Sequence, residues 1–211
     1  MARIDGVVLA GGYSSRMQTA DVPCDKAWLR LAGVPLIEHV ARNLSVQVDT
    51  LYVSTPYAED RYRALGVPVP DDTAETDERR GPLAGVLAAM TVSTADWLAV
   101  APCDAPFLPA GWVGRLHKAA LQADAPGALV VHRGWRQPVF MVVRCELQAH
   151  LKAALAAGMR KVGQWQREVA VIEVAFDDVP DHTFLNINTP IELAQAQAIV
   201  ASAQFSQREN S

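Results

Sequence analysis

A short apolar run followed directly by two glycines lies near the start of the chain. Residues 7–10, Val-Val-Leu-Ala, have the length and character of a buried strand. Gly11 and Gly12 then allow a sharp turn in which backbone N–H groups can approach a ligand closely. Because such an array of donors suits a phosphate group, the turn predicts an anion-binding edge on a sheet.

Two cations follow this turn and strengthen the phosphate interpretation. The guanidinium of Arg16 can fork onto phosphate oxygens, and Lys26 offers a point charge on a flexible stem. A plain tight turn explains a strand followed by Gly-Gly about equally well. Neither Gly-x-Gly-x-x-Gly nor Gly-x-x-x-x-Gly-Lys-Ser/Thr is present, which disfavours a dinucleotide-binding dehydrogenase and a P-loop enzyme.

Composition excludes several other classes of protein. The chain has 211 residues, half of them hydrophobic and a fifth charged, which is ordinary for one compact globular domain. A net charge of −4 gives no field that would attract nucleic acid or an acidic membrane. We expect a single domain over residues 1–204 and a disordered tail over residues 205–211.

Cysteine usage and hydropathy predict a cytoplasmic protein. Cys24, Cys103 and Cys145 are too few and too widely spaced for a disulfide framework or a zinc site. No apolar run approaches the roughly 18 residues of a membrane span, and the start of the chain lacks a signal-peptide pattern. No two histidines have metal-ligand spacing.

Strand and helix patterns alternate along the chain, which predicts a three-layer α/β fold with a mostly parallel sheet and a hairpin late in the chain. Strands are expected at residues 7–10, 50–55, 67–70, 96–101, 128–132, 139–143 and 169–176. Helices are expected at residues 36–45, 58–65, 82–93, 110–123, 146–157 and 190–204. Ligands bind such sheets beyond the carboxyl ends of the strands.

Two aspartates follow predicted strands and are therefore candidate ligand contacts. Asp104 lies between Pro102 and Pro106, which exclude regular structure and fix the carboxylate. Mg²⁺ needs only one or two carboxylates when substrate phosphates and water complete its shell, so Asp104 is a candidate metal ligand. Asp71 follows the strand at residues 67–70. A turn or capping role is the alternative for both.

The second half of the chain offers candidate contacts for another substrate. Arg160 and Lys161 are adjacent cations, and with Trp165 they would suit a flat, phosphorylated ring, although a solvated turn explains them nearly as well. Asn186 and Asn188 alternate with apolar residues, which places both amides on one side of an extended segment.

Five motifs occur in the order found in one known family. Leu-Ala-Gly-Gly-x-x-x-Arg-Met at residues 9–17, followed by Asp25-Lys26, resembles the signature of the molybdenum cofactor guanylyltransferases, small enzymes of the nucleotidyltransferase family. The resemblance continues at residues 81–85, 102–107, 158–162 and 186–190, and so covers nearly the whole chain.

This resemblance implies both an activity and a site. The fold would be the Rossmann-like nucleotidyltransferase fold. The reaction would be Mg²⁺-dependent transfer of GMP from GTP to molybdopterin carrying molybdenum, giving the guanine dinucleotide and pyrophosphate. Molybdoenzyme chaperones or cofactor-insertion proteins would be further partners.

Each implied role falls on a residue of this chain. The implied catalytic residues are Arg16, Lys26 and Asp104, with Asp104 also holding the metal. The implied GTP-binding residues are Leu9, Ala10, Gly11, Gly12, Lys26, Ser54, Asp71, Gly81, Pro82 and Asp104. The implied acceptor-binding residues are Arg136, Gln137, Arg160, Lys161, Trp165, Asn186 and Asn188.

One departure keeps alternatives open. The family pattern normally reads Arg-Met-Gly-Gly-x-Asp-Lys, whereas here the longer stretch at residues 18–24 lacks those glycines. A nucleotide-binding module that has lost activity is therefore one alternative. The others are a CTP-dependent sibling, which usually has Ala where Gly11 stands, and a sugar-phosphate nucleotidyltransferase, which lacks the Asn-x-Asn-Thr-Pro ending.

Overall fold

The computed structural model describes residues 2–11, 25–56, 60–70 and 81–209, with the side chains of residues 204–209 left aside. Within this part of the chain, a seven-stranded sheet forms the centre of the molecule. Its strands are β1 (Ile4–Leu9), β4 (Leu51–Ser54), β5 (Val67–Val69), β6 (Trp97–Pro102), β7 (Gly127–His132), β8 (Trp135–Arg144) and β9 (Ile172–Ala175). A separate antiparallel ribbon consists of β2 (Arg30–Leu31) and β3 (Val34–Pro35).

The strand order in the sheet is β5-β4-β1-β6-β8-β7-β9. β8 is antiparallel to both of its neighbours, and every other pairing is parallel. β8 therefore runs against the other six strands. The predicted mostly parallel sheet with a late hairpin is confirmed.

Helices cover both faces of the sheet and give the three predicted layers. The helices are α1 (Leu36–Ser45), α2 (Asp60–Arg63), α3 (Pro82–Val92), α4 (Trp112–Gln122), α5 (Gln148–Ala156), α6 (Val162–Glu168) and α7 (Pro190–Glu209). Alternate strand residues point to opposite faces, so Val8 packs in one core and Val7 in the other. The first core contains α1 and α4, and the second contains α3, α5 and α6.

The hairpin between β7 and β8 turns more tightly than the sequence predicts. Its turn is only Arg133 and Gly134, with φ of 52° and 76°, whereas a longer connection over residues 133–138 was expected. Two consecutive left-handed residues make the tight turn that matches the twist of paired strands. Because arginine is not a usual residue for that turn, the sequence pattern does not predict it. Residues 135–137, expected in the connection, belong to β8.

Helix α6 is absent from the prediction, which expects a turn there and a strand at residues 169–176. The helix ends at Glu168, two residues before Ala170, whose φ of 57° is left-handed, and the Val171 N–H donates to the Gln166 carbonyl. This is the hydrogen bond of a helix stop that usually contains glycine. Because position 170 is alanine and not glycine, the sequence gives no signal for this helix end. Strand β9 begins at Ile172, three residues later than predicted.

The last helix is longer than expected. α7 continues to Glu209, past the predicted end at residue 204, so the expected tail over residues 205–211 is helical for most of its length. The added segment contains Gln207, Arg208 and Glu209, which are good helix formers. No helix in the described ranges is long and apolar enough to cross a membrane.

Candidate functional site

Three parallel strands end in register at one edge of the sheet. Leu9, the last residue of β1, pairs with Ser54 of β4 on one side and Pro102 of β6 on the other. The Ala10 N–H donates to the Ser54 carbonyl at 2.8 Å, and the Cys103 N–H donates to the Leu9 carbonyl at 3.1 Å. The start of the glycine turn and the segment leading to Asp104 are therefore neighbours at this edge.

Lys26 approaches the same edge from a short 3-10 turn, Lys26–Trp28. Asp25 caps this turn, because its Oδ1 accepts from the Ala27 N–H at 3.2 Å. The Lys26 side chain is nine-tenths buried, and its ammonium donates to Oδ2 of Asp104 and to Oδ1 of Asn188. A buried ammonium needs such partners, because an unpaired buried charge is strongly unfavourable.

The segment that carries the two asparagines is docked directly on Asp104. The Ile187 N–H donates to the Asp104 carbonyl at 2.9 Å, and the Ile187 side chain is fully buried. Glu192 of α7 accepts the Asn188 N–H at 2.6 Å, while the Glu192 N–H donates to the Thr189 hydroxyl at 3.2 Å. These two bonds form a helix cap that holds Asn188 against Lys26.

Two oxygens at this edge are buried without a hydrogen-bond partner among the described residues: Oδ1 of Asp104 and Oδ1 of Asn186. Buried polar atoms in native proteins nearly always have a partner, so these two oxygens are candidates to bind a ligand. Both are hard oxygen donors of the kind that Mg²⁺ prefers. No cluster of three or more metal-ligating side chains occurs in the described residues.

The described cysteines do not provide a nucleophile at this edge. Cys103 precedes Asp104 and is fully enclosed, and burial followed by the nearby carboxylate raises the pKa of its thiol far above the ordinary value. Burial also raises the pKa of Cys145, to about 11. Because the thiolate is the reactive form, both groups are inert at neutral pH.

The glycine loop before α3 brings a second predicted region to the site. Gly81 has a left-handed φ of 69° and precedes Pro82, the first residue of α3. A Cβ on Gly81 would lie 3.3 Å from the Arg160 carbonyl, so the two backbones are nearly in contact. The Arg160 Nη1 donates to the carbonyls of Leu155 and Met159 at the end of α5. Arg160 therefore stabilises that helix end, whatever ligand it binds.

The prediction for Trp165 needs correction. Its side chain is fully buried in α6, and the indole N–H donates to Nδ1 of His150 at 3.2 Å. An indole without an exposed face cannot stack on a ligand, so Trp165 belongs to the core. By contrast, the neighbouring Lys161 is exposed.

Arg136 and Gln137 lie on β8 rather than on a loop. Arg136 is half-buried, and its Nε lies 3.0 Å from Oε1 of Glu173 on β9. That Nε has no hydrogen bond of acceptable geometry, so the contact is electrostatic only. A break in the β7–β8 register between Leu129 and Val130 releases residues 138–140 from pairing with β7 and re-aims the strand end that carries both residues.

Three predicted residues, Gly12, Arg16 and Asp71, lie outside the described residues, as does the unusual stretch 18–24. Of the others, the structure brings Lys26, Asp104 and Asn188 into direct contact beside Leu9, Ala10 and Ser54. Their roles toward a substrate stay predictions.

The MobA-like NTP transferase domain model matches residues 6–170 of this chain. The chain belongs to the MobA-like NTP transferase family. Its relatives include the molybdenum cofactor guanylyltransferase of Burkholderia ambifaria strain MC40-6, 44% identical over 201 residues that cover 90% of this chain and 94% of the relative. The protein of the same name from Shewanella amazonensis is 39% identical over 194 residues, covering 92% and 95%. The family resemblance seen in the motifs is confirmed.

Solved structures share the fold of this family member. The molybdopterin-guanine dinucleotide biosynthesis protein A of Archaeoglobus fulgidus has a TM-score of 0.75 at 21% identity, covering 94% of this chain and 99% of that one. A nucleotidyl transferase from Methanothermobacter has a TM-score of 0.72, also at 21% identity, with 95% and 99% covered. At this identity they support the fold alone, and they agree with the nucleotidyltransferase fold expected from the motifs.

The sequence did not reveal which residues hold Lys26 in place. Asp25 was only part of a motif, yet its Oδ2 accepts from the Tyr62 hydroxyl at 2.6 Å and from Arg61 at 3.1 Å. Both partners belong to α2, far along the chain. The only available signal was a tyrosine in a polar helix pattern, which does not identify its partner.

Proposed function

We propose that this protein transfers GMP from GTP to the phosphate of molybdopterin carrying molybdenum, producing the guanine dinucleotide form of the cofactor and pyrophosphate. The observation that carries this proposal is the contact of Lys26 with Asp104 and Asn188 at the sheet edge next to the glycine turn. The relatives reported above, which carry the name molybdenum cofactor guanylyltransferase, support the choice of substrates.

The reaction must bring two anionic substrates together, so positioning and charge neutralisation carry most of the catalysis. We assign Lys26 and Arg16 to the triphosphate, where they stabilise the negative charge that moves to the leaving pyrophosphate. The acceptor supplies its own phosphate oxygen as nucleophile. This agrees with the inert thiols of Cys103 and Cys145.

We propose Mg²⁺ as the metal, held by the free Oδ1 of Asp104. When bound, it would neutralise phosphate oxygens and favour departure of pyrophosphate. Asn186, next in the chain to the Ile187 that binds the Asp104 carbonyl, offers a second buried oxygen without a described partner. Lys26 keeps Asp104 oriented through the other carboxylate oxygen, so the oxygen without a partner is the one available to a metal.

The guanine and ribose are assigned to the strand ends on the other side of the glycine turn. We propose that Leu9, Ala10, Gly11 and Gly12 present backbone groups to the nucleotide, with Ser54, Asp71 and the loop at Gly81 and Pro82 beside them. Ser54 is buried directly next to Leu9 in the sheet. Gly11, where CTP-dependent siblings usually have alanine, leaves more room for a purine.

The acceptor is assigned to residues of β8, to the segment just before α6 and to the segment that carries Asn186 and Asn188. Arg136, Gln137, Arg160, Lys161, Asn186 and Asn188 are the proposed contacts. Exposed Lys161 and half-buried Arg136 supply positive charge for the acceptor phosphate. We further propose that the protein acts in the cytoplasm, where free thiols such as Cys103 and Cys145 are the rule.

The decisive experiment incubates the protein with each of the four nucleoside triphosphates, a molybdopterin that carries molybdenum, and Mg²⁺. The dinucleotide formed is then identified by mass spectrometry, and a parallel set of reactions contains a chelator. A product with GTP alone, lost in the chelator, supports the proposal. A cytosine dinucleotide from CTP would move the protein to the sibling class, and no product with any nucleotide would contradict nucleotidyl transfer.

A further inference from the structure

Lys26 lies between two residues that are both held by helix α2. On its amino side, Oδ2 of Asp25 accepts from the Tyr62 hydroxyl at 2.6 Å and from Nη2 of Arg61 at 3.1 Å. On its carboxyl side, the Trp28 ring packs edge-on against the Tyr62 ring, with centroids 5.3 Å apart. The Arg61 guanidinium also lies over the Trp28 ring, 4.5 Å from its centroid. The two α2 residues therefore fix the turn on both sides of Lys26.

The Tyr62 hydroxyl is well suited to a permanent structural contact. The side chain is fully buried, and burial together with the hydrogen bond to Asp25 raises the pKa of the phenol above its ordinary value, so it remains a donor. Its acceptor, Asp25, uses the other oxygen to cap the turn at Ala27. A single carboxylate thus joins α2 to the backbone that carries Lys26.

We propose that Tyr62 is a positioning residue for Lys26, acting through Asp25 to hold the ammonium at the sheet edge where it contacts Asp104 and Asn188. The catalytic consequence of this inference rests on the proposed role of Lys26 at the triphosphate. The positional consequence does not, because the contacts of Lys26 with Asp104 and Asn188 lie within the chain itself.

The chain provides a matched control for removing the Tyr62 hydroxyl. Tyr52 is also buried, and its hydroxyl also donates to a carboxylate, Oδ2 of Asp5, at 3.4 Å. Asp5 lies in β1 toward its amino end, and neither residue is assigned to the substrates. Tyr62→Phe and Tyr52→Phe therefore remove the same hydroxyl from two carboxylates, that of partly buried Asp25, which adjoins Lys26, and that of buried Asp5, which does not.

The first measurement needs no substrate. Native protein is treated briefly with an amine-acylating reagent, and modification of Lys26 is quantified by mass spectrometry relative to exposed Lys118 and Lys152. We expect Tyr62→Phe to raise Lys26 modification several-fold and Tyr52→Phe to leave it unchanged. Equal Lys26 modification in Tyr62→Phe and the unaltered protein would overturn the inference that Tyr62 positions Lys26, whatever the activity of the protein.

The second measurement is the steady-state rate of GTP-dependent pyrophosphate release. We expect Tyr62→Phe to lower kcat/KM about tenfold, because small displacements of a positioned group have large effects on rate. In a Lys26→Ala background the same substitution should have no further effect, whereas a purely structural role would lower activity additively. An additive loss overturns the inference. If Lys26 modification rises in Tyr62→Phe but the unaltered protein releases no pyrophosphate from GTP, the positioning role of Tyr62 is supported and the proposed function is contradicted.

Discussion

The Lys26 ammonium binds one carboxylate oxygen of Asp104 and leaves the other oxygen buried without a described partner. This asymmetry divides the carboxylate between two tasks. One oxygen neutralises a buried cation, and the other is free for a ligand. The ion pair fixes the orientation of the carboxylate at the sheet edge, as the proposed electrostatic catalysis requires.

Asp104→Ala should lower turnover by about two orders of magnitude or more, the usual loss for one positioned charged group. Asp104→Asn should be nearly as inactive, because its single amide oxygen can accept from Lys26 but an NH2 group then replaces the oxygen proposed to hold the metal. Pyrophosphate release measures the activity, and circular dichroism confirms that both variants fold. Normal pyrophosphate release by either variant would refute the metal assignment.

Gly85 of α3 packs against the predicted nucleotide site. A Cβ there would lie 2.4 Å from Ser54 Oγ and 2.8 Å from Leu9 Cδ2, closer than such contacts occur. Gly85→Ala should therefore lower stability by about 1–3 kcal/mol, and displacement of Ser54 and Leu9 should raise the KM for GTP. Thermal unfolding and GTP kinetics test the two effects.

Gly114 of α4 provides the opposite case. A Cβ at this position meets nothing within 4 Å. Gly114→Ala should stabilise the protein by about 0.8–1 kcal/mol, since alanine favours a helix interior over glycine. The free energy of unfolding from denaturant titration measures the gain. A destabilised Gly114→Ala variant would show that helix propensity does not control this position.

The fold could be predicted because its signals are local. Helix α1 was predicted with its observed bounds, since apolar residues recur at helical spacing and Pro35 precedes the start. Arg133 and Ala170 are left-handed although neither residue type is usual in that conformation. The sequence therefore did not predict the tight turn at Arg133 or the helix end before Ala170. At such positions the surrounding structure, and not the type of the residue itself, determines the backbone conformation.

The site could be predicted only as a set of candidates. Motifs identified Lys26 and Asp104 as residues of one site, but no sequence pattern contains the backbone hydrogen bond that docks the segment of Asn186 and Asn188 on Asp104. Trp165 was assigned to a ligand because aromatic residues suit both binding and packing, and only its burial decides between them.

Cys145 should make the protein less stable in alkali. Burial raises the pKa of its thiol to about 11, against 9.0 in the unfolded chain. The folded protein therefore holds this proton between those values while the unfolded chain releases it, so the contribution is fully present below pH 9 and is lost as pH rises toward 11. Cys145→Ala should flatten the fall of Tm with pH in this window. An unchanged slope would assign the alkaline loss to other groups, such as Cys103 or Tyr62.

Arg160→Ala should raise the KM for the molybdopterin acceptor more than that for GTP, because Arg160 is assigned to the acceptor and not to the nucleotide. Unfolding should also become easier by about 1 kcal/mol, because two hydrogen bonds at the end of α5 are lost. Lys152→Ala serves as the control, since exposed Lys152 lines a groove between α3 and α5 together with Arg160 but is assigned to neither substrate. Initial rates with each substrate varied in turn separate the two KM values. An equal rise in both would contradict a divided site, and a rise in Lys152→Ala would show that general positive charge, not Arg160, attracts the acceptor.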